Sequence, residues 1–247
     1  MKYKIIVSYD GTDFQGWQTQ INGPTVAGTL EKTFLSVFKK SIRLLGASRT
    51  DAGVHALGQT ASFKVDLDIN PQQLQTAWNN KLPKSIAILD VSHVNEDYNP
   101  HAYVKEKTYE YTFTTKRPLP FVARYQWFYP WPFEQDKLKK ALQLFIGTHD
   151  FRSFCSGTDH KSTIRTIIDI SLKQMDDTTY TITFKGPAFL RYMIRRITGA
   201  CLEIASRSTL TISYLQSIKD ALNPEHTLPS APALGLVLKS ITYNKQV

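Results

Sequence analysis

Strand-period and helix-period segments follow one another along this chain in one order that occurs twice, and that order restricts the fold more than any other feature. Lys2–Tyr9 is rich in β-branched and aromatic residues, which predicts a strand. After Pro24-Thr25, the residues Val26, Leu30, Phe34, Val37 and Phe38 recur at helical spacing, predicting a helix over 25–39. Ser41–Leu45 and Gln59–Val65 read as strands separated by a glycine-containing loop. Asn70-Pro71 then supplies an N-cap and a proline at the first helical position, with Leu74, Ala77, Trp78 and Leu82 as the apolar stripe. Pro83 closes that helix, and Ile86–Val94 is a further apolar strand. The order is β-α-β-β-α-β, the ferredoxin-like pattern.

The second half repeats the order with additions. Lys107–Thr115 alternates Tyr109, Tyr111 and Phe113 against Thr108, Glu110 and Thr112, as a half-buried strand does. A helix over 133–146 places Leu138, Ala141, Leu142 and Phe145 on one face, with Gly147 just past its end. Ile164–Leu172 and Thr179–Lys185 read as a strand pair around Asp176-Asp177. Residues 188–205 and 213–222 read as helices, and Leu234–Tyr243 as a closing strand. The polar stretch at 95–106, with its Asn-Pro, divides a domain over 1–104 from one over 105–247. The expectation is an α+β protein of two ferredoxin-like halves. Their mainly antiparallel sheets lie side by side and form a basic cleft suited to a polyanion. Topology alone does not fix function.

Lysine and arginine number 30 against 21 acidic residues, a net charge of +9. Phosphate neutralisation makes nucleic acid a natural partner for such a surface, although a merely basic soluble protein would have the same composition. Two cysteines, Cys155 and Cys201, can build neither a disulfide framework nor a CxxC metal site. The apolar run at the start is too short for a signal peptide, and no stretch approaches the roughly 20 apolar residues of a membrane span, so a cytoplasmic protein is expected. There is no GxxxxGK[ST] loop and no GxGxxG after a strand. The six histidines lack metal-ligand spacing, which argues against a metal-dependent nuclease. Cys155, with His149 and His160 nearby, reads as a structural cysteine.

Two segments can carry chemistry. Gly46-Ala47-Ser48-Arg49-Thr50-Asp51-Ala52-Gly53-Val54-His55-Ala56 lies between two strands, at the rim of the first sheet. An aspartate among small residues can be approached closely by a substrate, and Arg49 could hold it ionised. On spacing alone a surface turn is the simpler account. Phe189–Gly199 carries Arg191, Arg195 and Arg196. Arg191 and Arg195 would share one helical face, able to hold a carboxylate or a phosphate; a solvated basic face explains the periodicity as well.

Taken together with others, these segments resemble the tRNA pseudouridine synthase A family, TruA. The resemblance begins at Tyr9-Asp10-Gly11-Thr12-Asp13-Phe14-Gln15-Gly16-Trp17-Gln18. It runs through Arg49–Gln59, Lys107-Thr108-Tyr109-Glu110-Tyr111 and Gly147-Thr148-His149-Asp150-Phe151, then the arginine segment and Gly235-Leu236-Val237-Leu238, in family order. It implies that Asp51 is the essential aspartate, that Tyr109 stacks on the target uracil, and that Arg49 helps hold RNA with its base flipped out. Arg195 would face the aspartate, and Leu236 would pack near the base. It further implies a homodimer without cofactor or metal, acting on uridines at tRNA positions 38–40, on the 3′ side of the anticodon stem-loop. Ser48 departs from the glycine common before the RTD arginine, and His101 from an arginine that could contact phosphate. The alternative reading is a non-catalytic RNA-binding protein on the same scaffold, which has no reason to keep Asp51, Arg49, Tyr109 and Arg195 together.

Overall fold

The computed structural model describes residues 1–157 and 161–244. The chain is α+β and divides into two units, residues 1–105 with 237–247, and residues 106–236. Among the described residues no helix is long and apolar enough to cross a membrane.

In the first unit, β1 (Lys2–Tyr9) alternates half-buried and buried residues along its whole length, so Tyr3, Ile5, Val7 and Tyr9 face the core. Helix α1 (Val26–Phe38) starts where the Thr25 side chain accepts from the Gly28 N–H, and ends at Lys39 in the left-handed region. Strand β2 is only Leu45–Gly46, where Ser41–Leu45 was expected. The reason is a contact from the preceding helix: the Leu44 N–H is taken by Glu31 Oε1 at 2.8 Å rather than by a neighbouring strand. Strand β3 (His55–Lys64) begins four residues earlier than its composition predicts, which shortens the preceding loop and ties its end to the sheet. Helix α2 (Pro71–Asn79) has the Asn70 cap and first-turn proline that its sequence announces, and β4 (Ile86–His93) follows. The strand order β4-β1-β3-β2 is antiparallel throughout. Phe34, Phe63 and Trp78 meet edge to face between sheet and helices, the geometry that ring quadrupoles favour.

The second unit is built on β5 (Val104–Thr114), with the short β6 (Trp127–Phe128) parallel to its end. Helix α3 spans Gln135–Gln143. The expected strand Ile164–Leu172 is broken at Ile168. Its first part, β8 (Ile164–Ile167), leaves to pair with β7 (Gly147–Asp150), and its second, β9 (Asp169–Gln174), pairs with β10 (Thr179–Gly186). Asp176 Oδ1 accepts the Thr178 and Thr179 N–H groups at 2.8 Å each and so sets the β9–β10 turn. The order is β5-β10-β9, antiparallel. Helix α4 is Met193–Ser206, five residues later than expected, because Tyr192 takes a left-handed conformation (φ 63°) and stops the helix from extending backwards. Arg191 therefore precedes the helix instead of sharing a face of it with Arg195. Helix α5 is Ile212–Asp220.

The closing strand, β11 (Leu236–Tyr243), was expected within a domain over 105–247. Its residues from Val237 onward belong to the first unit, where Val237 and Leu238 run parallel to His55 and Ala56 of β3. Pairing is thus mixed, mainly antiparallel as expected, with parallel pairs at β3–β11 and β5–β6.

Candidate active site

In the first unit the loop carrying Arg49, Thr50 and Asp51 is clasped by the loop over residues 9–17. Hydrogen bonds join them, and one more ties the 9–17 loop to His55 at the start of β3. The Tyr9 hydroxyl meets Thr50 Oγ1 at 2.7 Å, and the Trp17 N–H donates to the Thr50 carbonyl at 3.1 Å. The Gly53 N–H donates to the Phe14 carbonyl at 3.2 Å, and the Gly11 N–H to His55 Nδ1 at 3.0 Å. Two glycines make the approach possible. A Cβ on Gly16, whose φ is +89°, would lie 2.6 Å from the Thr50 oxygen, and one on Gly11 would overlap the Val54 carbonyl oxygen. Within its own loop, the Asp51 carbonyl accepts from the Val54 N–H at 3.1 Å, and Gly53 supplies the positive φ of the turn (+76°).

The other end of this loop is held from β3. Fully buried Gln59 accepts the Ser48 N–H at 3.2 Å and donates to the Ser48 carbonyl at 2.7 Å. Gln59 grips the backbone of Ser48, so serine in place of glycine leaves this anchor intact. Thr50 and His55 are buried, Asp51 is half-buried, and Arg49 is exposed. A carboxylate flanked by Ala52 and Gly53 on a doubly anchored loop is accessible and at the same time fixed in place.

In the second unit, β5 turns Tyr109 and Tyr111 to one side. Tyr109 is buried against the edge of Phe189, ring centroids 5.3 Å apart. The Tyr111 hydroxyl donates to the Pro232 carbonyl at 2.8 Å. Burial drives its pKa up, with the charge of Arg195 opposing that shift. Arg195 is locked to the segment before β11: its Nε donates to the Ala231 carbonyl at 2.8 Å, and the Ala231 N–H returns a bond to the Arg195 carbonyl at 2.9 Å. Arg191 and Arg195 both place their guanidinium carbons over the Tyr192 ring, 5.1 and 5.0 Å from its centroid. Leu236 is buried just after Gly235, which lies so close to Tyr111 that a Cβ would approach the ring to 2.8 Å. Lys107 is buried near Arg165, and burial lowers its pKa to about 8.

The structure thus gathers Asp51 with its supports in one unit, and Tyr109, Arg195 and Leu236 on connected elements of the other. Sequence reasoning assigned no part to Tyr9, Gln59 or His55. The signal for them was present: two glycines spaced around an aromatic, and a histidine four residues after the aspartate. Cys155 is buried, and burial raises its thiol pKa, the opposite of the shift an activated thiolate needs. His160 lies outside the described residues. His101 is exposed, its backbone N–H bound to Asn99 Oδ1.

A model of the family described as tRNA pseudouridine synthase matches residues 5–101 and 141–244. A relative from Thermodesulfovibrio yellowstonii, named tRNA pseudouridine synthase A, is 36% identical over 251 residues, covering 97% of this chain and 98% of its own. One of the same name from Streptococcus uberis is 35% identical over 246 residues, covering 98% of each. Among solved structures, a Cbf5-Nop10-Gar1 complex gives a TM-score of 0.36 at 12% identity, over 81% of this chain and 45% of that one, a likeness too slight to inform the fold.

Proposed function

The chain belongs to the tRNA pseudouridine synthase family, and is an isomerase of that kind; from that premise we propose that Asp51 is the carboxylate that drives the isomerisation. The C1′–N1 bond of a uridine breaks, the uracil turns, and C5 bonds to C1′. C5 gives up its proton and N1 gains one, so the nucleotide's composition is unchanged. The base must first leave its stack, at a cost of a few kcal/mol that is smallest near a loop. An ionised aspartate either attacks the sugar or takes a proton there.

What supports the reading is one observation: Asp51 sits on a loop anchored both from the loop over 9–17 and from β3, while remaining half-exposed beside small residues. In this reading Tyr109 stacks on the uracil, Leu236 packs beside it, Arg195 keeps the carboxylate ionised and Arg49 holds the RNA with the base turned out. Each unit is read as a ferredoxin-like half, and a basic cleft receives the RNA. The substrate is the 3′ side of the anticodon stem-loop, at positions 38–40. The enzyme works as a homodimer in the cytoplasm, which light scattering and fractionation check. The test of the activity is release of tritium to water from tRNA labelled at uridine C5. A folded protein that binds this tRNA and releases none is a binding module instead.

Two further results are expected. With a net charge of +9, tRNA affinity falls about tenfold or more for a threefold rise in salt, through the counterions that phosphate contacts displace. Filter binding measures this, and a flat profile counts against a basic cleft. Tyr109→Phe keeps the ring and therefore tRNA affinity. What it loses is the hydroxyl, which although a poor base at tyrosine's ordinary pKa near 10 is the candidate to take the C5 proton, and kcat falls about tenfold. An unchanged kcat would show the hydroxyl to be dispensable.

A further inference from the structure

The loop that carries Asp51 depends on a side chain that has no place in the chemistry above. His55 is the first residue of β3 and only 5% exposed. Its Nδ1 lies 3.0 Å from the Gly11 nitrogen and 3.2 Å from Asp10 Oδ1. These two contacts ask opposite things of one atom. A backbone N–H can only donate, so Nδ1 accepts from Gly11 and the imidazole proton sits on Nε2. Asp10 Oδ1 is already occupied, receiving the Thr12 N–H at 3.0 Å and the Thr12 hydroxyl at 2.6 Å. Its nearness to His55 follows from that turn, and the Gly11 bond is the one that fastens the loops.

The route from this bond to the carboxylate is short. His55 is carried by a strand paired to β1 on one side and to β11 at His55 itself. It holds Gly11, and with Gly11 the loop over 9–17. That loop holds Thr50 twice, by the Tyr9 hydroxyl and the Trp17 N–H, and Thr50 is bonded to Asp51 along the chain.

We propose that His55 is a positioning residue: as a hydrogen-bond acceptor at Nδ1 it keeps the two loops closed, and this fixes the Asp51 carboxylate where the reaction needs it. The proposal rests on Asp51 being the reactive carboxylate. Displacing a reacting group by about 1 Å is enough to cost two orders of magnitude in rate, whereas RNA held by many phosphate contacts is little affected by such a shift. The signature is therefore a loss in kcat with KM and tRNA affinity preserved.

Asparagine and glutamine separate the acceptor from the bulk of the ring. In His55→Asn the amide Oδ1 would stand where Nδ1 stands, and in His55→Gln the amide Oε1 would stand where Nε2 stands. Only His55→Asn therefore keeps an acceptor for Gly11. The experiment measures kcat and KM by C5 tritium release, tRNA affinity by filter binding and folding by thermal melting, for the parent, His55→Asn, His55→Gln, Tyr9→Phe and Asp51→Asn. His55→Gln is expected to lose about 30-fold in kcat, with His55→Asn within about threefold of the parent and affinity unchanged in both. Equal losses in the two folded variants, or parent kcat in His55→Gln, overturn the proposal. If His55→Gln does not fold, Tyr9→Phe decides: a several-fold loss in kcat alone upholds the clasp and parent kcat overturns it. Undiminished turnover by Asp51→Asn instead removes the premise about Asp51, a result distinct from either.

Discussion

Asp51→Asn converts unmodified tRNA on the order of 10⁴-fold more slowly than the parent protein, the scale on which removing one member of a catalytic unit acts. The substitution is nearly isosteric. It removes the negative charge and the basic lone pairs, so neither attack at C1′ nor proton removal is left to the side chain. The anchors described above run through the Thr50 hydroxyl and through the backbone of Ser48, Thr50, Asp51 and Gly53, none of which the substitution alters, and the amide keeps the shape of the carboxylate. Melting temperature and tRNA affinity should therefore stay at parent values, and tritium release with filter binding measures both sides of the claim. Turnover within tenfold of the parent would remove Asp51 from the mechanism, because 10⁴-fold corresponds to about 5.5 kcal/mol of barrier that no neighbouring group could restore. Loss of binding together with turnover would point to a structural part for the carboxylate.

The residue that does the chemistry was easier to read from the sequence than the residues that hold it. Lys2–Tyr9 could be placed to the residue because one face meets a core and the other does not, which writes a strict alternation into the chain. Asn70-Pro71 marked a helix start because the cap acts within three residues. Failures came where a distant contact overrides local preference. Leu44 gives its N–H to a glutamate thirteen residues away and forms no strand. Ile168 breaks what reads as a single strand because β8 pairs with β7 and β9 with β10. Tyr192 takes a left-handed conformation that no tyrosine signals, and the arginine helix begins after it. The site divides in the same way. Asp51 between small residues could be noticed locally, but the need for glycine at 11 and 16 arises from a backbone some forty residues further on.

Gly11→Ala tests that long-range requirement, and its effect should be second in size only to that of Asp51→Asn. The added methyl would fall on the Val54 carbonyl oxygen, with the Val54 carbonyl carbon 2.6 Å and its nitrogen 3.2 Å away. A flexible side chain could swing clear, but these are backbone atoms in a turn already closed by the bond from the Val54 N–H to the Asp51 carbonyl. The two loops must part by about 1 Å, enough to cost on the order of 10²-fold in rate when the displaced element carries the reacting group. Parting also stretches the Gly11 bond to His55 and the Gly53 bond to Phe14. Overpacking of this kind costs about 1–3 kcal/mol, which for a protein of this size lowers the melting temperature by roughly 2–12 °C. Assays well below the lowered midpoint separate the two effects: kcat should remain depressed on fully folded protein while tRNA affinity holds. If activity recovers as soon as the protein is folded, glycine at 11 serves stability alone, and the loop over 9–17 does not set the position of Asp51. If kcat stays low, the invasion of one loop by another controls the rate, and substitutions that relieve the overlap from the Val54 side should restore it.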